Sequence, residues 1–220
     1  MFGAWQAGAW KTVSRQFQPD LVVGASVGSL NGYAIASGWS PDELCDWWLR
    51  PGVASFAKLP ATITALVQAK PLQLEYATVV VDLLRMKPLT IPGSIVRSEH
   101  LLASCSVPGK RLPLRIDGRW YIDGGLLNPL PVWVAVELGA QRILGLNALP
   151  QIPSAVLVPF VRAFRAVFGH NPPKPQDVQY TTLVPGKRLG SLRDAITWNA
   201  VHSAQWIAQG EQDALQARFP

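Results

Sequence analysis

Apolar and β-branched residues predominate in short segments at 21–23, 76–84 and 142–146, and between these segments apolar positions recur every three to four residues. The short segments suit strands buried on both faces, and the longer spacing gives a helix one apolar side. The chain is therefore read as an α/β protein. Residues 2–17 place Trp5, Ala9, Val13 and Phe17 four apart, which predicts an amphipathic helix ended by Pro19-Asp20. A strand over 21–23 leads into a helix over 30–36 that packs through Gly32, Ala34 and Ala36, with Gly38 as its C-terminal cap. Ser40-Pro41-Asp42-Glu43 is a capping box with proline at the first helical position, and it starts a helix carrying Leu44, Trp47 and Trp48.

Residues 51–70 mix Pro51, Gly52 and Pro60 with apolar pieces. A loosely patterned helix covering the core is expected there, with a lid or lipid-facing flap as the alternative. The run 76–84 is a buried strand or the start of a helix, and Ser98 is expected to cap a helix over 99–104. Asp117-Gly118 favours a tight hairpin between strands at 112–116 and 119–122. Pro131 starts a helix that Gly139 closes, and a further strand covers 142–146. Residues 150–185 are punctuated by proline and are expected to include a basic helix at 160–168, with Arg162 and Arg165 on a solvated face. Ser191-Leu192-Arg193-Asp194 is expected to cap a long last helix bearing Leu192, Ile196, Ala200 and Ile207 on one side.

A chain of 220 residues that is 49% apolar can bury one sizeable core, so a single domain over 1–220 is expected. No run reaches the roughly 18 apolar residues of a membrane span, and the first residues lack a signal-peptide pattern. A cytoplasmic protein is expected, with peripheral membrane contact left open. Lys and Arg exceed Asp and Glu by six, which favours anionic partners such as a phospholipid surface; no basic run interleaves with aromatics, so nucleic acid is not expected. Most of the nine tryptophans are expected in the core. Cys45 and Cys105 stand far apart without metal-ligand spacing and are read as small buried hydrophobes, so neither metal nor cofactor is expected.

Gly24-Ala25-Ser26-Val27-Gly28 fits the Gly-x-Ser-x-Gly form of a nucleophile elbow between a strand and a helix. A serine on so tight a turn is strained, and Gly24 and Gly28 remove side chains that would collide there. The helix start after Ser26, beginning with the Val27 N–H, favours developing negative charge. The plain alternative is a glycine-rich turn with an incidental serine. Such a serine needs a base. Of the three histidines, His100 lies in a short helix and His170 in a loop with Asn171 and Pro172; His202 follows Asp123 and so matches the Ser, Asp, His order of α/β-hydrolases, but its mid-helix position between Trp198 and Trp206 speaks against that role. Asp123 ends a strand and is followed by Gly124 and Gly125, so it either takes the serine proton directly or caps a turn.

The elbow, followed by Ala103-Ser104-Cys105-Ser106-Val107-Pro108-Gly109 and then by Tyr121-Ile122-Asp123-Gly124-Gly125-Leu126-Leu127-Asn128-Pro129-Leu130-Pro131-Val132, resembles the patatin-like phospholipase family. The resemblance covers most of the chain and is weakest at 51–70 and 150–185. It implies a three-layer α/β/α domain with a mostly parallel central sheet, and a lipid acyl hydrolase that uses a Ser-Asp dyad and no catalytic histidine. Ser26 would be the nucleophile, Asp123 the general base and a lipid ester the substrate. Family members begin with a strand and a run of glycines that supply the oxyanion hole. Met1-Phe2-Gly3-Ala4 matches only the tail of that motif, so a longer natural chain is expected, with the Val27 backbone as a partial substitute donor. The rival readings are a catalytically impaired lipid-binding or interaction protein and a histidine-dependent α/β-hydrolase.

Overall fold

The computed structural model describes residues 1–126, 129–150, 178–191, 193–194 and 197–217. The expected basic helix at 160–168 with Arg162 and Arg165, and likewise His170, Leu192 and Ile196, lie outside the described residues. Helix α1 (Gly3–Val13) precedes strand β1 (Leu21–Ala25), α2 (Val27–Ala36), α3 (Pro41–Leu49) and α4 (Leu59–Ala69). Strands β2 (Glu75–Asp82) and β3 (Lys87–Pro92) form a hairpin, followed by α5 (Ser98–Ser104) and the hairpin of β4 (Leu114–Ile116) with β5 (Arg119–Asp123). A tight helical turn (Gly124–Leu126), α6 (Val132–Glu137), β6 (Arg142–Leu146), β7 (Gln179–Leu183) and α7 (Ala200–Gln216) complete the described elements.

Strand β2 organises the main sheet. It runs parallel to β1 and antiparallel to β3 and β5, while β6 and β7 form a second, parallel pair. The run 76–84 is thus a strand, buried from Tyr76 to Asp82. Successive side chains point to opposite faces. On one face Val22 and Tyr76 pack with Leu30 and Tyr33 of α2, and on the other Val23, Ala25, Ala77 and Val79 pack with Trp133 and Val134 of α6. Helices therefore cover both faces of the sheet, which is the expected α/β/α layering.

The punctuation of the chain explains most helix ends. The capping box at Ser40 forms, with Glu43 N–H donating to Ser40 Oγ and Ser40 N–H to the Glu43 carboxylate. Gly38, at φ 73°, ends α2 in a Schellman arrangement: its N–H bonds Ile35 O and that of Trp39 bonds Ala34 O. Gly139 closes α6 the same way at φ 88°. Asp117 and Gly118 both adopt positive φ, as the short hairpin of β4 and β5 requires.

Four expectations need correction. Helix α1 ends at Val13 rather than 17, and it is buried on most sides, because α7 lies against it so closely that a Cβ on Gly8 would strike the Ile207 carbonyl and one on Gly210 the Trp5 carbonyl. Ser98 is the first residue of α5 and not its cap; the Arg97 N–H is taken by His100 Nδ1 instead. Ser191 does cap helical residues 193–194, its Oγ accepting the Asp194 N–H and its N–H donating to the Asp194 carboxylate, but α7 is a separate element that begins at Ala200, where the Asn199 side chain accepts the His202 N–H. Ala200 is exposed, and the buried side of α7 is Ser203, Trp206, Ile207, Gly210 and Ala214. Within 51–70, α4 covers the core with Leu59, Ile63 and Leu66.

Candidate active site

Two strand ends meet at one point on β2. Strand β3 occupies one edge of β2 along Ala77–Asp82, so β1 and β5 share the other edge. The last residue of β1, Ala25, pairs with Val79, and the last residue of β5, Asp123, pairs with the next residue, Val80. Because β1 runs parallel to β2 and β5 antiparallel, the two C-terminal ends face each other head to head. The residue after Ala25 is Ser26, and its Oγ donates a hydrogen bond of 2.8 Å to Asp123 Oδ2.

Ser26 stands between β1 and α2 with φ 54° and ψ −131°, a strained backbone worth about 1–3 kcal/mol that surrounding bonds must hold. Its carbonyl accepts from the Ser29 N–H (2.9 Å) and from Ser29 Oγ (2.6 Å). Its own N–H donates to Ser104 Oγ at 2.9 Å. Ser29 and Ser104 are both fully buried.

The glycines differ in what they make room for. A Cβ on Gly24 would overlap the backbone of Gly28 and Ser29, and one on Gly124 would overlap the Val79 carbonyl, so both positions are closed to side chains. On Gly28 it would meet only the Gln6 side chain, 3.7 Å away. The expected collision at Gly28 is therefore corrected: a side chain there would meet Gln6 at ordinary van der Waals distance, and of the two elbow glycines Gly24 alone is closed to a side chain. A Cβ on Gly125 would stand 3.2 Å from Asp123 Oδ1 and 3.4 Å from Ser26 Cβ, which places Gly125 against both side chains.

Asp123 is buried, with 4% of its surface exposed. Burial pushes its carboxyl up to about 7, against the smaller opposing pull of hydrogen bonds from the Ser26 hydroxyl and the Gly125 N–H. A base of that pKa is half ionised near neutral pH, the range in which proton transfer to and from a hydroxyl is most efficient. The N–H groups of Val27 and Gly28 begin α2, where a helix has no internal acceptors for its first donors.

The histidines among the described residues are engaged elsewhere. His100 Nδ1 accepts the Arg97 N–H, and burial lowers its basicity. His202 faces Asp194 at 3.7 Å and stacks obliquely on Trp206. Cys45 and Cys105 are free and buried, and burial raises both thiols, Cys45 to about 11. Among the described residues no group of His, Cys, Asp and Glu is arranged to hold a metal ion. None of their helices is long and apolar enough to cross a membrane.

Reading the sequence overlooked the serines that support the site. Ser104 and Ser106 belong to the block quoted with the elbow, and that block was the available signal. The Asp123 N–H donates to the Ser106 carbonyl at 3.1 Å.

A family model described as patatin-like phospholipase matches residues 1–90 and 97–136, a span that contains Ser26, Ser104 and Asp123. The chain is also similar to uncharacterized NTE family proteins of Mycobacterium bovis and Mycobacterium tuberculosis. Each is 27% identical over 177 residues, an alignment covering 67% of this chain and 49% of the relative. The chain thus spans about half the length of these relatives.

Proposed function

The chain belongs to the patatin-like phospholipase family, and from that premise we propose that it is a serine hydrolase cleaving carboxylic esters of lipids, with Ser26 as nucleophile and Asp123 as general base. The observation that carries this reading is the 2.8 Å hydrogen bond from Ser26 Oγ to the buried Asp123 carboxylate. As Oγ attacks the acyl carbonyl, Asp123 takes its proton, and the carbonyl oxygen becomes an oxyanion facing the Val27 and Gly28 N–H groups. Collapse of this intermediate breaks the ester bond, and Asp123 returns the proton to the departing alcohol. A water molecule then gives a proton to Asp123 and attacks the acyl-serine; as the fatty acid leaves, Asp123 passes that proton to Ser26 Oγ, which restores the hydroxyl and the carboxylate.

The lipid substrate and the excess of six basic residues together favour work at an anionic membrane surface, reached by peripheral contact. The test is hydrolysis of a p-nitrophenyl ester and of anionic phospholipid vesicles. Fatty acid release that disappears in Ser26→Ala supports the reading; release that persists in that variant overturns it. Vesicle binding without hydrolysis would favour a lipid-binding protein.

A further inference from the structure

A segment at the end of α5 touches both members of the dyad from behind. Ser104 Oγ accepts the Ser26 N–H at 2.9 Å and donates its own proton to the Val79 carbonyl at 2.8 Å. Two residues on, the Ser106 carbonyl accepts the Asp123 N–H at 3.1 Å. The same stretch of backbone therefore holds the residue bearing the nucleophile and the residue bearing the base.

An ordinary helical serine returns its hydroxyl to the carbonyl four residues back. Ser106 does this, with its Oγ on the Leu102 carbonyl. Ser104 does not; it is fully buried, and its hydroxyl reaches across 78 residues of sequence to Ser26 and 25 to Val79. Val79 is also the residue that pairs with Ala25, and its carbonyl lies against Gly124. A single hydroxyl thus ties together the end of β1, the centre of β2 and the last turn of α5. It also accepts the Ser26 backbone N–H at the strained turn.

We propose that Ser104 is a positioning residue for the reaction: its hydroxyl fixes the Ser26 backbone so that Oγ stays within reach of Asp123. This rests on the dyad reading for its catalytic consequence, though the hydrogen bond itself does not. Ser104→Ala leaves the Ser26 N–H and the Val79 carbonyl unpaired in a dry site, and Ser26 then relaxes from its strained φ. Ser104→Cys keeps the volume with a weak donor and acceptor in place of the hydroxyl.

Two readouts on the full chain separate the possibilities. Hydrogen exchange by NMR reports on the Ser26 amide, and ester hydrolysis reports on kcat and KM. In Ser104→Ala the Ser26 amide should exchange at least about tenfold faster while the β2 amides keep their protection, because one local bond rather than the fold is lost. The same variant should lower kcat about 10- to 100-fold with KM unchanged, and Ser104→Cys should fall between it and the wild type. Unchanged Ser26 exchange or unchanged kcat in a folded Ser104→Ala chain overturns the proposal, as does a loss spread equally over kcat, KM and all amides. If Ser104→Ala does not fold, Ser104→Cys decides on the same criteria. If the wild-type chain hydrolyses no ester, the dyad reading fails, and with it the positioning role; the exchange of the Ser26 amide then still shows whether the hydrogen bond exists.

Discussion

Ser26 and Asp123 stand 97 residues apart in sequence, and their side chains meet at 2.8 Å because their strands end against consecutive residues of β2. The contact is a property of strand register. A one-residue slip of either strand would turn its side chains to the opposite face and separate the pair.

On the proposed mechanism the pH dependence is set by Asp123. With its carboxyl at about 7, hydrolysis should rise from acid pH through about 7 and level off above it, since only the carboxylate accepts the Ser26 proton. Stability should move the other way. Between the unfolded value of 3.8 and the folded value of about 7 the folded chain binds a proton that the unfolded chain releases, so stability falls as pH rises through this window and is flat above it. The full difference corresponds to about 4 kcal/mol as an upper figure. Urea unfolding at pH 5 and pH 8 should show the wild type losing stability across that range, with a smaller loss in Asp123→Asn.

The glycines of the elbow and of the Asp123 turn should separate by what their Cβ would meet. Gly24→Ala and Gly124→Ala push a methyl group into backbone and should cost about 2 kcal/mol or more, or prevent folding. Gly28→Ala only touches the Gln6 side chain, at the first turn of a helix, and should leave stability unchanged or raise it by up to about 1 kcal/mol. Thermal unfolding of the three variants checks the order.

The seam between α1 and α7 is closed by Gly8 and Gly210, with Trp5 Nε1 donating to Asp213 Oδ2 at 2.8 Å. Gly210→Ala would place its methyl on the Trp5 carbonyl, and about 2 kcal/mol or more of stability should be lost as the helices move apart. Limited proteolysis should then release the α7 segment first.

His202 pairs with Asp194 and packs on Trp206, away from the dyad. His202→Ala should leave kcat for ester hydrolysis unchanged while lowering stability slightly. A large loss of kcat with the fold intact would favour a histidine-dependent mechanism.

What the sequence made legible follows from local chemistry. The capping box at Ser40, the Schellman glycines Gly38 and Gly139, and the Asp117-Gly118 turn are each decided within a few residues, and all form where expected. Strand β3 was hidden because Pro88 and Pro92 break the usual strand pattern, and proline is tolerated only where its missing N–H is not needed for the ladder. The burial of α1 on most sides is not legible because the glycine contact with α7 is made with residues about 200 positions away. At the site, Ser26 and Asp123 were readable as motifs, and the strained φ of Ser26 agrees with that reading. The role of Ser104 was not readable, because a buried serine at a helix end has no pattern of its own until the strands are in place.

The central claim is tested most directly by treating the chain with a fluorophosphonate and locating the label by peptide mass spectrometry. The account predicts label on Ser26 alone, none in Ser26→Ala, and labelling slowed about 100-fold or more in Asp123→Asn at pH 8. Label on another residue, or a rate on Ser26 that Asp123→Asn leaves unchanged, would contradict it.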